Sequence, residues 1–352
     1  MTTLTTAPPA TRRRGTARGT AIAVAVGLVA LAVCVVLSLF VGSREIDPGV
    51  VWQALTRPDP TDTAQLVITE LRVPRTILAI LVGIALGVAG TIMQALTRNP
   101  LAEPGILGVN AGAAAAAATG IAVTGGVWGM TGSFLFSFAG AAAASLLVAA
   151  LGGVFGHVPG RGADPVRLTL AGAALAVTLA AYTNALLLNF PTVFDSFRHW
   201  AVGSVQGRGN ELVLPALLLI VPAALVAVLL GRSFNAVALG HDAARALGAS
   251  PQRVLVTGAV LIVLLAGTAT AVAGPIGFVG LVAPLGVRML VGPDYRRILP
   301  LSALAAAVLV LGADIIGRIA LPPDELETSI VTALVGAPVF ILLARRRRLM
   351  RL

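Results

Sequence analysis

An uncharged stretch between two arginines constrains this chain more than any other feature. Residues 76–97 hold no charged side chain, and Arg75 and Arg98 bound the stretch. As a helix it is about 33 Å long, enough to cross the hydrocarbon core of a bilayer. Segment 99–105 follows, and its two prolines and one glycine predict a helix stop and a tight turn. The sequence therefore predicts a membrane span with an immediate re-entry.

Composition extends this interpretation to the whole chain. Hydrophobic residues make up 57% of the 352 residues and charged residues only 11%, whereas soluble domains carry about 25% charged residues. We therefore predict an all-α, polytopic protein of the plasma membrane with ten transmembrane helices. The predicted spans are residues 20–41, 76–97, 106–123, 133–155, 168–188 and 212–230, two spans within 254–287 cut at Gly274 to Gly280, and residues 298–316 and 328–344.

The distribution of arginine predicts the orientation. With both termini cytoplasmic, 18 of the 25 basic residues lie on the cytoplasmic side, as the positive-inside rule requires. The same rule accounts for the net charge of +10, so no nucleic-acid partner is needed. We expect a disordered basic tail at 1–19, a permease domain at 20–348 and a C-terminal tail at 349–352.

Three segments outside the spans carry local predictions. Asp47-Pro48 is typical of a helix start. Residues 195–200 predict a helix at the membrane surface, with Trp200 as its aromatic anchor. The cytoplasmic loop 232–253 predicts two short helices, ended by Gly240 and Gly248.

The residues that could carry chemistry are few. The sequence holds no phosphate-binding loop, no metal-spaced histidine or cysteine set and no nucleophile elbow, so an enzyme is not expected and no cofactor is implied. A carrier that works alone usually needs a carboxylate inside the bilayer. Asp314 is the one candidate, and Arg318 four residues later predicts an ion pair on the helix surface. We infer that another subunit supplies the energy.

Three arginines lie on the predicted outer face, against the usual charge bias: Arg72, Arg75 and Arg318. They either extend to lipid phosphates or receive carboxylates of a soluble protein that docks from outside, since the guanidinium fork suits bidentate pairing. Spacing alone leaves both interpretations open.

Several segments, in this order, carry a family resemblance: RVPRTILAILVG, MQALTRNPLAEPGILGVNAG, AVAGPIGFVGLVAP, GPDYRRILP, ADIIGR and TALVGAPVF. They resemble the permease subunit of type II ABC importers, the iron-siderophore and cobalamin uptake family, over residues 72–348. TRNPLAEPGILGVNAG, PVRLTLAG and ADIIGR resemble most the ferric-enterobactin type. The resemblance implies ten helices, a homo- or heterodimer of permeases, a cytoplasmic ABC ATPase dimer, and an extracytoplasmic siderophore-binding lipoprotein or periplasmic protein.

The resemblance also implies roles for particular residues. It favours the docking interpretation for Arg72, Arg75 and Arg318, with the binding protein as the partner. It assigns Asn99 and Leu101 to a cytoplasmic gate, and the fifth span, the segment around Trp200 and the tenth span to the wall of the pathway. Contact with the ATPase is assigned to Leu239, Gly240, Ala244, Leu247 and Gly248.

The chain departs from the family pattern at three places. Pro284-Leu285 stands where the family usually has Pro-His, and residues 325–329 lack the usual Glu-Leu-Pro-x-Gly. Pro165 and Val166 stand where cobalamin permeases carry small hydroxyl residues, which favours ferric siderophores. A cobalamin or haem importer of the same family and a secondary carrier working alone remain the alternatives.

Overall fold

The computed structural model describes residues 17–42, 46–154, 165–246, 248–322 and 324–345. Within these ranges all regular structure is helical, apart from one isolated bridge between Leu321 and Asp324. Most of the predicted tail 1–19, the whole tail 349–352, the predicted loop around residue 160 and the predicted contact residue Leu247 lie outside the described residues.

Sixteen α-helices are described, several of them extended by π or 3₁₀ turns. They are α1 Ala17–Phe40, α2 Pro48–Thr56, α3 Thr63–Leu66, α4 Val73–Thr97, α5 Val109–Thr124, α6 Gly129–Leu151, α7 Pro165–Asn189, α8 Pro191–Ala201, α9 Val213–Leu229, α10 Gly231–Ala238, α11 His241–Ala246, α12 Pro251–Ile262, α13 Thr268–Ala273, α14 Val279–Val291, α15 Tyr295–Ala320 and α16 Thr328–Ala344.

Seven helical segments are long and apolar enough to cross a membrane, and three shorter apolar helices accompany them. The long segments contain α1, α4, α6, α7, α9, the pair α12–α13, and α15; the shorter helices are α5, α14 and α16. Each predicted span falls on one of these ten. The all-helical, multi-span prediction is therefore confirmed, whereas ten crossings and cytoplasmic termini stay predictions.

Helices α4 and α15 form the centre of the bundle, because their glycine and alanine faces allow close approach. A Cβ added to Gly83 would lie 2.6 Å from the carbonyl oxygen of Ala306, which no side chain tolerates. Gly90 meets the backbone of Gly280 on α14 in the same way. We call the two ends of α4 the Asp314 end, near Val73, and the Asn99 end, near Thr97.

The predicted cut between α13 and α14 is confirmed. Gly274 has φ 73° and Phe278 has φ 66°, a left-handed conformation that is unusual for a bulky residue. Neighbouring loops hold this break in place: the Ser204 amide donates to the Ala273 carbonyl over 2.7 Å, and the Ser329 amide donates to the Gly203 carbonyl over 3.1 Å. The loop of residues 203–204 therefore binds the backbone next to the break, and Ser329 in turn binds that loop.

The predicted short helices are also present. The Asp47 carboxylate accepts from the Gly49 amide and caps α2. Gly240 (φ 106°) and Gly248 (φ 77°) end α10 and α11. Helix α8 covers residues 195–200, but the anchor interpretation of Trp200 is wrong: its ring is buried and packs on Phe197 at 5.5 Å between centroids.

Candidate functional site

At the Asp314 end, an ion network joins α4, α15 and the chain before α16. Asp314 is fully buried on α15, and Arg75 of α4 donates to both of its oxygens, with Nη2 to Oδ1 at 2.8 Å and Nε to Oδ2 at 3.1 Å. The other Arg75 nitrogen, Nη1, binds Glu325 over 2.7 Å. Arg75 therefore bridges two carboxylates from separate elements.

Arg318 completes this network from inside the bundle. Its Nη2 lies 2.5 Å from Asp314 Oδ2, and its side chain is only 2% exposed. The predicted pairing with Asp314 is thus present, but its location on the helix surface is wrong: the α15 face that carries both residues packs on α1 and α4. A buried pair of this kind is costly to break from one side, because one charge stays behind.

Arg72 and Arg318 also hold the end of α1. Arg72 Nη1 donates to the carbonyls of Leu39 at 2.8 Å and Phe40 at 3.1 Å. Arg318 Nη1 donates to the Ser38 carbonyl at 2.7 Å. The last carbonyls of a helix lack intrahelical partners, and guanidinium groups satisfy them. The arginines therefore fasten α1, whose outer surface is largely exposed, to the bundle.

A cavity of about 280 Å³ opens beside this network. Its lining includes four arginines and one carboxylate: Arg72, Arg75, Arg208, Arg318 and Glu325. Within the described part of the chain, Arg208 has no carboxylate within 4.0 Å. Its Nε reaches only the Ser204 carbonyl, at 3.4 Å. Burial lowers the pKa of Arg208, so its charged form is less stable here than in water.

The predicted gate residues lie together at the Asn99 end. Asn99 Oδ1 accepts from the Leu101 amide over 2.9 Å, which fixes the turn after α4. Both side chains are exposed. Arg98 precedes them with φ 52°, and its Nη1 would lie 3.6 Å from a Cβ on Gly240. The end of α4 therefore touches the segment between α10 and α11.

That segment distributes its predicted contact residues unevenly. Leu239 is 68% exposed, and Gly248 is also exposed. Ala244 is fully buried and packs with Ala236 and Val237. Leu239 and Gly248 thus lie on the surface of the single chain, whereas Ala244 is buried and supports the fold of the segment.

Glu103, in the turn after the gate residues, is half-buried. Burial raises the pKa of its carboxyl group. No described side chain lies within ion-pair distance of it. Ionisation of Glu103 is therefore less favourable in the folded protein than in water.

Sequence reasoning missed the remaining polar contacts at the Asn99 end. Asn235 on α10 donates to Asp294 over 2.7 Å and accepts from the Tyr295 amide over 2.9 Å. Arg288 on α14 donates to the Tyr295 hydroxyl over 2.7 Å. Asp294 and Tyr295 lie in GPDYRRILP, one of the segments that carry the family resemblance. The resemblance did not reveal the partner on α10, which lies about 60 residues away in sequence.

Comparison with known proteins identifies the architecture. A family profile described as the FecCD transport family matches residues 30–346. The ferric enterobactin transport system permease protein FepD of Escherichia coli (strain K12) is 43% identical over 93% of this chain and 96% of its own. The iron(3+)-hydroxamate import system permease protein FhuB of Bacillus subtilis (strain 168) is 39% identical over 94% of this chain and 84% of its own.

A solved structure of an inward-facing metal-chelate type ABC transporter has a similar fold. It superimposes with a TM-score of 0.79 and 27% sequence identity, over 93% of this chain and 99% of that chain. The relatives are permease subunits rather than enzymes. This chain is a multi-pass protein of the plasma membrane, and it belongs to the FecCD transport family.

Proposed function

We propose that this chain is the membrane permease of an ATP-driven importer of ferric siderophores, with catecholate complexes as its substrate class. The single observation that carries the proposal is the 43% identity with a ferric enterobactin permease along almost the whole of both chains. The scarcity of charge in the helices supports it, because a pathway for a bulky complex needs few specific polar groups.

The proposal includes ten crossings with both termini in the cytoplasm. Helix α14 is the critical one, since its 13 residues rise only about 20 Å, less than the hydrocarbon thickness. The break at residues 274–278 supplies the missing length. The backbone bond from Ser204 to Ala273, at the start of the break, together with the bond from Ser329 to Gly203, supports a non-helical stretch at membrane depth.

We place the ATPase at the Asn99 end, against the segment from α10 to Gly248. The exposed Leu239 and Gly248 support this contact. Arg98, beside Gly240, provides a physical route from that contact to the turn of Asn99 and Leu101. In this mechanism, closure of the two ATPase subunits moves the segment from α10 to Gly248. The turn after α4 then opens or closes the pathway.

We place the binding protein at the Asp314 end. The predicted docking residues already have partners inside this chain: Arg75 and Arg318 bind carboxylates, and Arg72 binds the carbonyls that end α1. We therefore add Arg208 to the docking surface. Arg208 lines the cavity and has no described carboxylate partner, so it can pair with an acidic side chain that enters the cavity.

Charge reversal separates docking from structure. Replacing Arg72, Arg75 and Arg318 with Glu removes partners of Asp314 and of α1, so loss of uptake in that variant has two explanations. Arg208→Glu removes no ion pair of the described chain. We expect Arg208→Glu to reduce uptake at least about tenfold with normal membrane levels. The control Arg57→Glu, which changes an exposed arginine at the end of α2, should leave uptake unchanged. Equal uptake in both variants would remove Arg208 from the docking surface.

A second permease subunit is the remaining partner. Large apolar side chains on α7, α8 and α16 stay exposed in the single chain, among them Val177, Leu188, Phe194 and Leu334. Exposed faces of this kind suit both lipid and a second subunit. We propose that the partner covers part of this surface and that the pathway runs between the two permeases.

Uptake by cells tests the whole proposal. In a strain lacking this chain, we expect loss of radiolabelled iron supplied as a catecholate siderophore, with iron supplied as a hydroxamate siderophore and labelled cobalamin unaffected. Loss of hydroxamate uptake alone would change the ligand class. Loss of cobalamin uptake alone would retain the importer and overturn the substrate. Normal uptake of all three would contradict the proposed function.

A further inference from the structure

At the Asn99 end, one amide side chain ties the proposed ATPase contact to the core. Asn235 lies on α10, between the buried Phe234 and Ala236. Its Nδ2 donates to Asp294 Oδ1 at 2.7 Å, and its Oδ1 accepts from the backbone amide of Tyr295 at 2.9 Å. Both functions of the amide are thus used on a single target, the first turn of α15.

The target of Asn235 is itself fixed. Asp294 caps α15, because its Oδ1 also accepts from the Arg296 amide over 3.0 Å. Gly231, at the start of α10, brings the two backbones together: a Cβ there would lie 3.1 Å from the Cα of Arg296. Helix α10 and the start of α15 are therefore held both by packing and by a pair of directional hydrogen bonds.

The chain of contacts continues into α14. The buried Tyr295 hydroxyl accepts from Arg288 Nη2 over 2.7 Å, and the Arg288 guanidinium lies 5.2 Å from the centre of the Tyr295 ring. Helix α14 meets α4 at the Gly280–Gly90 crossing, where no side chain separates the backbones. A displacement of α10 therefore has a continuous route to α4, the helix that ends at Thr97, two residues before Asn99.

We propose that Asn235 is a positioning residue that couples movement of the segment from α10 to Gly248 to the α14–α15 pair, so that ATP hydrolysis is converted into opening of the pathway. This inference rests on the proposed function, in which that segment contacts the ATPase. It adds a residue that faces α15 instead of the ATPase. Asn235 should therefore govern how much transport each ATP yields, and not whether the ATPase binds.

The test uses the complex purified through a tag on the permease and reconstituted in liposomes, with iron-loaded enterobactin as the transport probe. We expect Asn235→Ala to retain the ATPase but to raise the ATP hydrolysed per iron imported at least about fivefold, the factor that one net hydrogen bond gives, because the variant loses two. Ser233→Ala, a control on the same helix, should match the wild-type ratio. Absence of an ATPase or of transport in the wild-type complex would instead contradict the proposed function.

A paired exchange makes the test specific to this contact. Asn235→Asp places a second carboxylate beside Asp294, so its ratio should be worse than that of Asn235→Ala. Adding Asp294→Asn places an amide donor at position 294 opposite the carboxylate acceptor at position 235. The double variant should therefore recover part of the coupling. Recovery in the double variant is not expected if residue 235 only contributes to general stability.

Hydrogen exchange on the permease alone in lipid nanodiscs provides a readout independent of transport. In Asn235→Ala, exchange should rise together in α10 and at the Tyr295 amide, whereas Ser233→Ala should leave both unchanged. The inference is overturned if Asn235→Ala keeps the wild-type ratio of ATP to iron. It is also overturned if the ATPase no longer copurifies, or if exchange at Tyr295 does not change.

Discussion

At the scale of single residues, Asp314 has the largest structural role at its end of the bundle. Two arginines from different helices converge on its two oxygens, and Thr328 Oγ1 adds a third contact at 3.3 Å. A carboxylate on a membrane helix is often assigned to proton movement. Here both of its oxygens are occupied by permanent cations, so Asp314 is a structural anion rather than a relay.

Replacing Asp314 with Asn should therefore destabilise the protein strongly. Arg75 and Arg318 would both face a neutral amide, and leaving a buried charge unpaired costs about 3–5 kcal/mol. This corresponds to an apparent Tm lower by about 4–7 °C, measurable by thermal shift in detergent. Asp324→Asn, at an exposed residue of the loop that follows α15, is the control. A Tm within one degree of wild type for Asp314→Asn would show that the network adds nothing to stability.

For Glu103 we predict the opposite effect: neutralising its carboxylate should stabilise the protein. Its folded-state pKa lies above the ordinary value, so ionisation opposes folding at pH values above the folded pKa, and the penalty disappears as pH falls below the unfolded pKa. Glu103→Gln should raise the Tm at neutral pH by about 1–2 °C. The advantage should vanish near pH 4. A constant difference between the two proteins across this range would rule out ionisation as the cause.

At the scale of elements, short contacts between backbones decide which helices pair. The sequence predicted the cut at Gly274 correctly, because glycine and proline act locally. It did not single out the glycines of α4. The partner of each glycine was not predictable, since α4 and α14 meet across about 190 residues of sequence. For the same reason the Asp314–Arg318 pair was found from its spacing of four, whereas the Arg75–Asp314 pair was not.

The α4–α14 crossing yields a prediction at this scale. A Cβ on Gly90 would overlap the Gly280 carbonyl, so Gly90→Val should force the two helices apart and reduce the folded fraction at least severalfold. Gly286→Ala, on α14, meets no atom within 4 Å and should be neutral or stabilising, because alanine favours a helix by up to about 1 kcal/mol. Size-exclusion profiles of the two variants provide the measurement. A monodisperse Gly90→Val protein at wild-type yield would mean that the helices separate at little cost.

At the scale of the whole molecule, the sequence established the class of protein and the approximate position of every apolar helix, because hydropathy and arginine placement are summed over many residues. The sequence did not establish which contacts hold the helices together at the Asp314 end and at the Asn99 end. The arginines predicted to dock are engaged inside the chain: Arg75 and Arg318 bind Asp314, and Arg72 binds the end of α1. The sequence did not distinguish Arg208, which has no described carboxylate within 4.0 Å. The sequence shows which residues are charged but not how each one is buried and paired. Burial and pairing decide whether an arginine holds helices together or is available for docking.

Ten crossings and cytoplasmic termini can be tested together with four single cysteines in a Cys34→Ser background. All four positions are exposed: Val127→Cys follows α5, Ser250→Cys precedes α12, Asp324→Cys precedes α16 and Arg345→Cys follows α16. Ten crossings place residues 127 and 324 outside and residues 250 and 345 inside. A membrane-impermeant maleimide should therefore label Val127→Cys and Asp324→Cys in intact cells, and the other two only after permeabilisation.

Each deviation from this pattern identifies one helix. Protection of Val127→Cys in intact cells would mean that α5 does not cross. Protection of Asp324→Cys, with Ser250→Cys also protected, would mean that α14 is too short to cross even with residues 274–278. Labelling of both Asp324→Cys and Arg345→Cys in intact cells would exclude α16 as a crossing. Because 13 residues of helix fall about 10 Å short of the hydrocarbon thickness, Asp324→Cys is the decisive position, and its labelling from outside would establish that a backbone break completes a span.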